Sequence, residues 1–354
     1  MLSLNDREWK EFDIDGENGI FRIEASKSGI DGNKLMLGNG DVPYITRTDV
    51  SNGIKQFISD NQDKKYLKDS GNVITIGLDT QTVFYQPHSF FTGQNIQVLK
   101  NENLTKYNAL FMIPLLRVQL DKFNWGGNGA TLGRLRRTKI MLPVNNSGDP
   151  DYLFMDSYSK EREIKNKRKY DFYVEETLEG LEVSPVVPLS DKEWKEFCIE
   201  DIFNIFSGKR LTKDDMKPGE TPFIGATDSG NGVTHYISNR NSSIDKNVLG
   251  VNYNGNGVAI SFYHQYECLF TDDVKRFHLK NYKDNKYVLL FFKTIILQQK
   301  SKYNYAYKFN EQRMRRQYIM VPVNDANEPD YLYMEQYMKN IMNKKYQAYL
   351  NYKS

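Results

Sequence analysis

Two clusters of arginine, "RLRR" at 134–137 and "RMRR" at 313–316, carry the strongest chemistry in this chain. A guanidinium is a planar fork that grips phosphate through two hydrogen bonds and meets guanine O6 and N7 in the same way. Arg134, Arg136, Arg137, Arg313, Arg315 and Arg316 are therefore candidate contacts to nucleic acid, with a charged strand edge or ion pairs to acidic protein surfaces as the alternative. Side-chain amides come next. Asn252, Asn254 and Asn256 alternate in "VNYNGNG", and Thr80 and Gln81 sit in "GLDTQT". An Asn or Gln amide matches adenine N6 and N7 together, although Asn-rich turns also form without any ligand. In "ITRTDVSNG" Arg47 and Thr48 follow a strand, and "IGATDSGNG" offers Ala226 and Thr227 instead. Turn capping by Asp49 and Asp228 is the competing role for these loops. "NWGGNGATL" (124–132) contributes Asn128 and Thr131, and "NYAYKFNEQ" (304–312) contributes Tyr305 and Lys308. Tyr303, Tyr305, Tyr307 and Lys308 suit a phosphate-rich groove, or a core.

Catalytic chemistry is hard to find. Pro150 and Asp151 followed by Glu163, Ile164 and Lys165 match the loose nuclease pattern of a PD pair and a later ExK. A second stretch of the chain keeps Pro329 and Asp330 but has Met342, Asn343 and Lys344 at the later positions. The predicted setting is also a charged helix, which does not hold two carboxylates around a metal in the usual strand-borne arrangement. No "NPPY" or "DPPY" motif of an adenine methyltransferase occurs, and "FSGKR" (206–210) lacks the remaining residues of a phosphate-binding loop. His88, His235, His264 and His278 have no metal-ligand spacing with Cys198 or Cys268. The expectation is a chain that catalyses nothing by itself.

The elements that would position these residues occur twice. "NDREWKEF" (5–12) returns as "SDKEWKEF" (190–197), "PYITRTDVSNGIKQFI" (43–58) as "PFIGATDSGNGVTHYI" (222–237), and "RLRRTKIMLPVNNSGDPDYLFMDSYSK" (134–160) as "RMRRQYIMVPVNDANEPDYLYMEQYMK" (313–339). Such long copies are domain-sized, and each can bury its own core. The boundary falls near "EVSPVVPLS" (182–190), where Pro185 and Pro188 suit an extended connector. The first two-thirds of each copy reads as strands and turns, with "GNVITIGLDTQTVFYQ" (71–86) and "NVLGVNYNGNGVAISFYHQ" (247–265) as hairpins. The "GNG" tripeptides supply the positive φ of tight turns. A long helix closes each copy; in the second, Tyr331, Met334, Met338, Ile341, Met342, Lys345 and Tyr349 form an apolar stripe. At 1.5 Å per residue it is roughly 40 Å long, and its duplicate is the natural partner. The predicted fold class is α+β: a tandem duplication of a β-rich domain, each followed by a long helix, the two helices antiparallel with pseudo-twofold symmetry. They would hold the domains apart by a distance comparable with one DNA turn, about 34–36 Å. A helix that only covers its own sheet is the alternative.

With 354 residues, 39% of them apolar, and a net charge of +3, the chain reads as an ordinary soluble protein whose bulk charge alone names no partner. No stretch is long and apolar enough to span a bilayer, and residues 1–20 carry acidic groups where a secretory signal needs an apolar run. With two cysteines a disulfide scaffold is not expected, and a reducing cytoplasm is.

"IMLPVNNSGDPDYLFMDSY" and "IMVPVNDANEPDYLYMEQY", with "EWKEF" and then "FRIEAS" or "FNIFSG", resemble the DNA specificity subunits of type I restriction-modification systems, most closely the type IIB-like group. The resemblance spans essentially the whole chain. It implies target recognition domains at 1–150 and 184–328, a central helix at 151–183 and a C-terminal helix at 329–354. It also implies double-stranded DNA as ligand, one half of a bipartite site read by each domain, and methyltransferase or methyltransferase-nuclease subunits as partners, two per chain. S-adenosylmethionine and Mg would belong to those partners, with no cofactor in this chain. The ends of the copies match closely while their middles differ, as a common scaffold with different reading loops requires. A tandem β-domain scaffold that binds only proteins is the rival reading.

Overall fold

Alternation of β-branched and aromatic residues with polar ones builds the same strand set twice. The structure, a computed structural model, describes residues 2–36, 38–123, 131–254, 257–303 and 307–353, and divides into two compact units, 1–172 and 173–354. Unit 1 runs β1 (Trp9–Asp13), β2 (Arg22–Ala25), β3 (Val42–Ile45), β4 (Ile54–Ile58), β5 (Val73–Gly77), β6 (Thr82–Gln86), β7 (Phe91–Thr92), β8 (Ile96–Lys100), α1 (Lys106–Leu120), α2 (Leu132–Leu135), β9 (Lys139–Pro143) and α3 (Tyr152–Glu179). After a connector come β10 (Trp194–Cys198), α4 (Ile199–Ile202), β11 (Phe203–Ser207), β12 (Pro218–Ile224), β13 (Val233–Ile237), β14 (Val248–Asn252), β15 (Ser261–His264), β16 (Leu269–Phe270), β17 (Val274–Leu279), α5 (Lys286–Gln298), α6 (Glu311–Arg316), β18 (Tyr318–Pro322) and α7 (Tyr331–Lys353). The boundary between units falls within α3.

Strand order repeats without change. Unit 1 has sheets β2-β8-β5-β6, β4-β3-β7 and β1-β9; unit 2 has β11-β17-β14-β15, β13-β12-β16 and β10-β18. One irregularity coincides as well: β3 and β4 slip register at Tyr44/Ile45, and β12 and β13 at Phe223/Ile224, although β12 carries a further slip at Pro218/Thr221. The turns that follow place Asn52 at φ 57° and Asn231 at φ 53°, a left-handed conformation that Asn tolerates and a β-branched residue would not.

One expectation is corrected here. The first two-thirds of each copy is not all strand and turn, because α1 and α5 lie within it. "KYVLLFFKTIILQ" is rich in β-branched and aromatic residues, so local propensity points to a strand, yet it forms α5. Its start is set by Asn285, whose side chain accepts from Tyr287 N and Val288 N at 3.1 and 3.0 Å. Burial then decides: Val288, Leu289, Phe291, Phe292, Ile295 and Ile296 all enter the unit 2 core, and tertiary packing overrides propensity.

The repeated tryptophans belong to this packing. Trp9 stacks on Phe111 of α1 with centroids 6.0 Å apart, and Trp194 on Phe291 of α5 at 6.3 Å. Each indole N–H donates to a backbone carbonyl five residues upstream, of Leu4 at 2.9 Å and of Leu189 at 3.1 Å. Each phrase thus pins an opening strand onto the helix that covers the main sheet.

"PD" starts a helix rather than a metal site. Asp151 Oδ1 accepts from Phe154 N at 2.9 Å, and Asp330 Oδ1 from Tyr333 N at 3.0 Å, which caps α3 and α7. Their other oxygens pair with Arg7 at 2.8 Å and Lys192 at 2.7 Å. Glu163 lies further along α3 and pairs with Lys106 at 2.8 Å. Among the described residues no group of His, Cys, Asp and Glu is placed to hold a metal ion, and no helix is long and apolar enough to cross a membrane.

In α7 the apolar stripe is only partly used within unit 2. Met334 is fully buried, and Tyr331, Tyr337 and Met338 pack on the core. The connector does not hang free: Val187, Glu182 and Ser184 carbonyls accept from Tyr333 Oη (2.9 Å), Gln336 Nε2 (3.3 Å) and Asn340 Nδ2 (2.7 Å). Its prolines keep it extended along the helix.

Candidate nucleic-acid interface

Each arginine cluster sits on a short helix, α2 or α6, that is anchored by one fully buried apolar residue, Leu135 or Met314. The three arginines of a cluster have three different surroundings. Arg136 pairs with Asp15 at 2.9 Å and donates to Ile23 O at 3.4 Å. Arg315 pairs with Glu311 at 2.8 Å and donates to Ile205 O at 3.4 Å. Since Ile23 and Ile205 occupy corresponding strands β2 and β11, the middle arginine ties the helix to the main sheet in both units. The first arginine is partly buried in both; Arg313 donates to Lys308 O at 2.7 Å and stacks its guanidinium 3.8 Å over the Tyr307 ring. The last, Arg137 or Arg316, is exposed, and its side chain has no hydrogen bond or ion pair among the described residues. Two equivalent guanidinium groups are therefore presented to solvent with their donors unspent.

The candidate loops converge as well. In unit 1 the Arg47 guanidinium, in the β3–β4 loop, pairs with Asp79 in the β5–β6 turn. A cleft of about 330 Å³ beside it is lined by Asp31, Tyr44, Arg47, Thr48, Lys55 and Gln94. Thr80 shares a 3.1 Å hydrogen bond with Thr82, and Gln81, at φ 51°, turns its amide toward Asp79 O at 3.5 Å. In the β3–β4 and β12–β13 loops the hydroxyls of Thr48 and Thr227, not Asp49 and Asp228, accept long hydrogen bonds from Val50 N (3.5 Å) and Ser229 N (3.4 Å). Thr48 and Thr227 thus shape these loops.

Unit 2 joins the same loops by different chemistry. Asn252 is buried, its amide donating to Thr227 O at 2.8 Å, so this side chain braces the loop from within. Asn254 donates to Asp273 Oδ1 at 3.1 Å. From there a chain of contacts leads to the arginine helix: the Lys275 ammonium lies 5.2 Å over the Tyr253 ring, 2.7 Å from Ser207 Oγ and 3.5 Å from Glu311, which holds Arg315. Thr131 is exposed at the start of α2, and Lys308 is partly buried beside Arg313. Candidates Asn128, Asn256 and Tyr305 lie outside the described residues.

Sequence reasoning missed the β7–β8 and β16–β17 turns, which bring Gln94, Asn95, Asp272 and Asp273 beside the other loops. The available signal was their equal length within a duplicated frame, "TGQNI" against "FTDDV".

Two histidines behind this surface are perturbed in opposite directions. His278 donates toward Asp245 at 3.0 Å and Asp284 at 2.7 Å, and these bonds raise its pKa to about 9. Burial pushes the Asp245 carboxyl up, but His278 and Arg276, the latter 2.9 Å away, outweigh it and hold it below the usual range. His264 is fully buried with neither ring nitrogen hydrogen-bonded; burial, with Lys293 nearby, lowers its pKa to about 4. Its counterpart Gln86 donates to Asn52 O and Thr75 Oγ1, both at 3.1 Å. His264→Gln is expected to stabilise unit 2 by about 1 kcal/mol through the equivalent bond to Asn231 O. The neutral histidine must gain a proton when unit 2 unfolds below its ordinary 6.5, so acidification from 6.5 toward 4 costs stability, and the Gln variant should flatten that limb. Melting curves at pH 7 and pH 4.5 check both effects; an equal acid loss in the two proteins would rule out His264 as its source.

Comparison with known proteins follows the same duplication. The type I restriction modification DNA specificity domain matches the chain twice, over residues 7–171 and 191–350. The specificity subunit S.BcgI of a type II restriction enzyme from Heyndrickxia coagulans is 43% identical over 326 residues, covering 92% of this chain and 93% of that protein. Among solved structures, the type I restriction-modification S subunit from M. genitalium aligns with a TM-score of 0.47 at 14% identity, over 99% of this chain and 93% of that one. The HsdS subunit from Thermoanaerobacter tengcongensis aligns with a TM-score of 0.33 at 11% identity, over 98% and 92% of the two chains.

Proposed function

Because this chain belongs to the type I restriction modification DNA specificity family, we propose that its two halves read the two halves of one bipartite, asymmetric site. It is a non-catalytic specificity subunit: it recognises double-stranded DNA by sequence through two target recognition domains and positions methyltransferase or nuclease partners. The recognition domains span 1–150 and 184–328, with helices at 151–183 and 329–354. The two long helices lie antiparallel, set the spacing of the half-sites and dock two methyltransferase or methyltransferase-nuclease subunits. S-adenosylmethionine and Mg act in those partners, in the cytoplasm.

One observation carries the DNA-contact assignment: the equivalent Arg137 and Arg316 guanidinium groups, exposed in both units. They are phosphate or guanine contacts; Arg136 and Arg315 hold their helices in place; Arg134 and Arg313 support the adjacent loops, Arg313 with Lys308. Base reading falls to the loops of Arg47, Thr48, Thr80 and Gln81 in unit 1 and of Thr227 and Asn254 in unit 2, with Asn252 as their brace and Thr131, Asn128, Asn256 and Tyr305 completing the set.

Co-expression with a methyltransferase subunit of the same system, followed by genome-wide mapping of methylated adenine, tests the reading. A bipartite motif that changes in one half when residues 1–150 are exchanged for those of a relative is the expected result. A motif that changes in both halves, or in neither, would sink the assignment of one half-site to each domain.

A further inference from the structure

The β5–β6 and β7–β8 turns meet in the same way in both units. Leu78 N donates to Asn95 O at 3.0 Å, and Tyr253 N donates to Asp273 O at 3.1 Å. These paired backbone bonds make Asp79 the counterpart of Asn254, and Asn95 the counterpart of Asp273. Each pair is joined by one amide–carboxylate hydrogen bond: Asn95 Nδ2 donates to Asp79 Oδ2 at 3.1 Å, and Asn254 Nδ2 donates to Asp273 Oδ1 at 3.1 Å. The bond is common to both units, but its ends are exchanged. In unit 1 the carboxylate stands on the first turn; in unit 2 it stands on the second.

Position 47 follows the exchange. Where the carboxylate is Asp79, the neighbouring loop supplies Arg47 to pair with it. Where that place is taken by the neutral Asn254, the loop has Ala226. We propose that Arg47, Asp79 and Asn95 act as one specificity-determining module, whose counterpart in unit 2 is Ala226, Asn254 and Asp273; this rests on the reading that each unit recognises one half-site.

The two modules offer opposite hydrogen-bonding faces. In unit 1 Asp79 satisfies part of the Arg47 fork and fixes its direction, so the remaining N–H groups meet acceptors, as guanine O6 and N7 provide. In unit 2 the arginine is absent and Asp273, with one oxygen bound to Asn254, has acceptor capacity left. That suits an amino group, cytosine N4 or adenine N6. Moving a carboxylate by one turn while keeping the bond beneath it changes what is read without changing the scaffold. Drift of single residues would instead break the bond, since Asn95→Asp alone sets two carboxylates against each other.

The test exchanges whole modules in the chain co-expressed with its methyltransferase subunit. Arg47→Ala/Asp79→Asn/Asn95→Asp places the second module in unit 1, and Ala226→Arg/Asn254→Asp/Asp273→Asn does the reverse. The expected result is a complex that still assembles and methylates, with base preference at one position of one half-site altered on the order of 10–100-fold. The change should run from guanine toward an amino-bearing base in the first variant and the opposite way in the second. A wild-type motif that both exchanged chains retain overturns the module while leaving the half-site reading intact. Failure of both exchanged chains to assemble also overturns it, because the bond is claimed to be interchangeable. Absence of any motif with the wild-type chain removes the half-site reading and this proposal with it.

Discussion

Replacing Arg137 and Arg316 together by glutamine should weaken duplex binding on the order of 100-fold at moderate salt, about 10-fold for each residue. Both guanidinium groups are exposed and have no partner among the described residues, so the substitutions remove no internal bond and folding should be unaffected. A phosphate contact also releases counterions. The slope of log affinity against log salt should therefore become shallower by about 2 for the double variant. Arg136→Gln and Arg315→Gln are the informative contrast. Those side chains hold α2 and α6 to the main sheets through Asp15, Glu311 and the carbonyls of Ile23 and Ile205. Their loss should lower affinity with the salt slope unchanged, because a displaced contact is weakened rather than deleted. Titration of the assembled complex with a fluorescent duplex at several salt concentrations separates the two kinds of residue. If affinity and slope both survive the Arg137/Arg316 double substitution, the duplicated guanidinium groups are not DNA contacts.

Asp245→Asn should destabilise unit 2 by about 2–3 kcal/mol, because it leaves His278 and Arg276 without the carboxylate they share. The loss falls at or below the roughly 3–5 kcal/mol of a fully buried broken pair because these side chains retain some solvent access. The same network predicts a pH dependence. Below its ordinary pKa of 6.5, His278 is protonated whether the chain is folded or not, and the whole contribution is present. Between 6.5 and about 9 the unfolded chain loses its proton while the folded one keeps it, so stability declines as pH rises and the contribution is gone above about 9. Hydrogen exchange of the β17 amides, followed from pH 6.5 to 9, reports on this sheet directly. A wild-type protein with flat stability over that window would remove His278 as the cause, and an Asn variant that declines as steeply would assign the raised pKa to Asp284 instead of Asp245.

Much of the architecture follows from comparing the chain with itself. The repeated "EWKEF" and "PDY" phrases mark the opening strands and the starts of the long helices, since each is a local device: an indole that bridges to a carbonyl five residues upstream, and an Asp that caps the helix it precedes. The hairpins at 71–86 and 247–265 were legible for the same reason, since alternation and turn residues act over a few positions. α5 was not legible, because its β-branched and aromatic content favours a strand and only a sheet needing a cover makes it a helix.

The candidate site divides along the same line. By itself the sequence determined that there are two equivalent domains, that each carries arginines ahead of its long helix, and that the loops between matched strands differ. Residue type and repetition carry that information, because side-chain chemistry and backbone propensity are properties of short segments. Only the tertiary structure decided what each candidate does. It separated Arg137 from Arg136 and turned Asn252 inward to brace a loop. It also set Asn95 against Asp79 and Asp273 against Asn254, residues 16 and 19 positions apart on separate turns. Which hydrogen-bonding groups remain free for a ligand depends on which are already spent within the fold, and that balance is struck between segments that meet only when the sheets form.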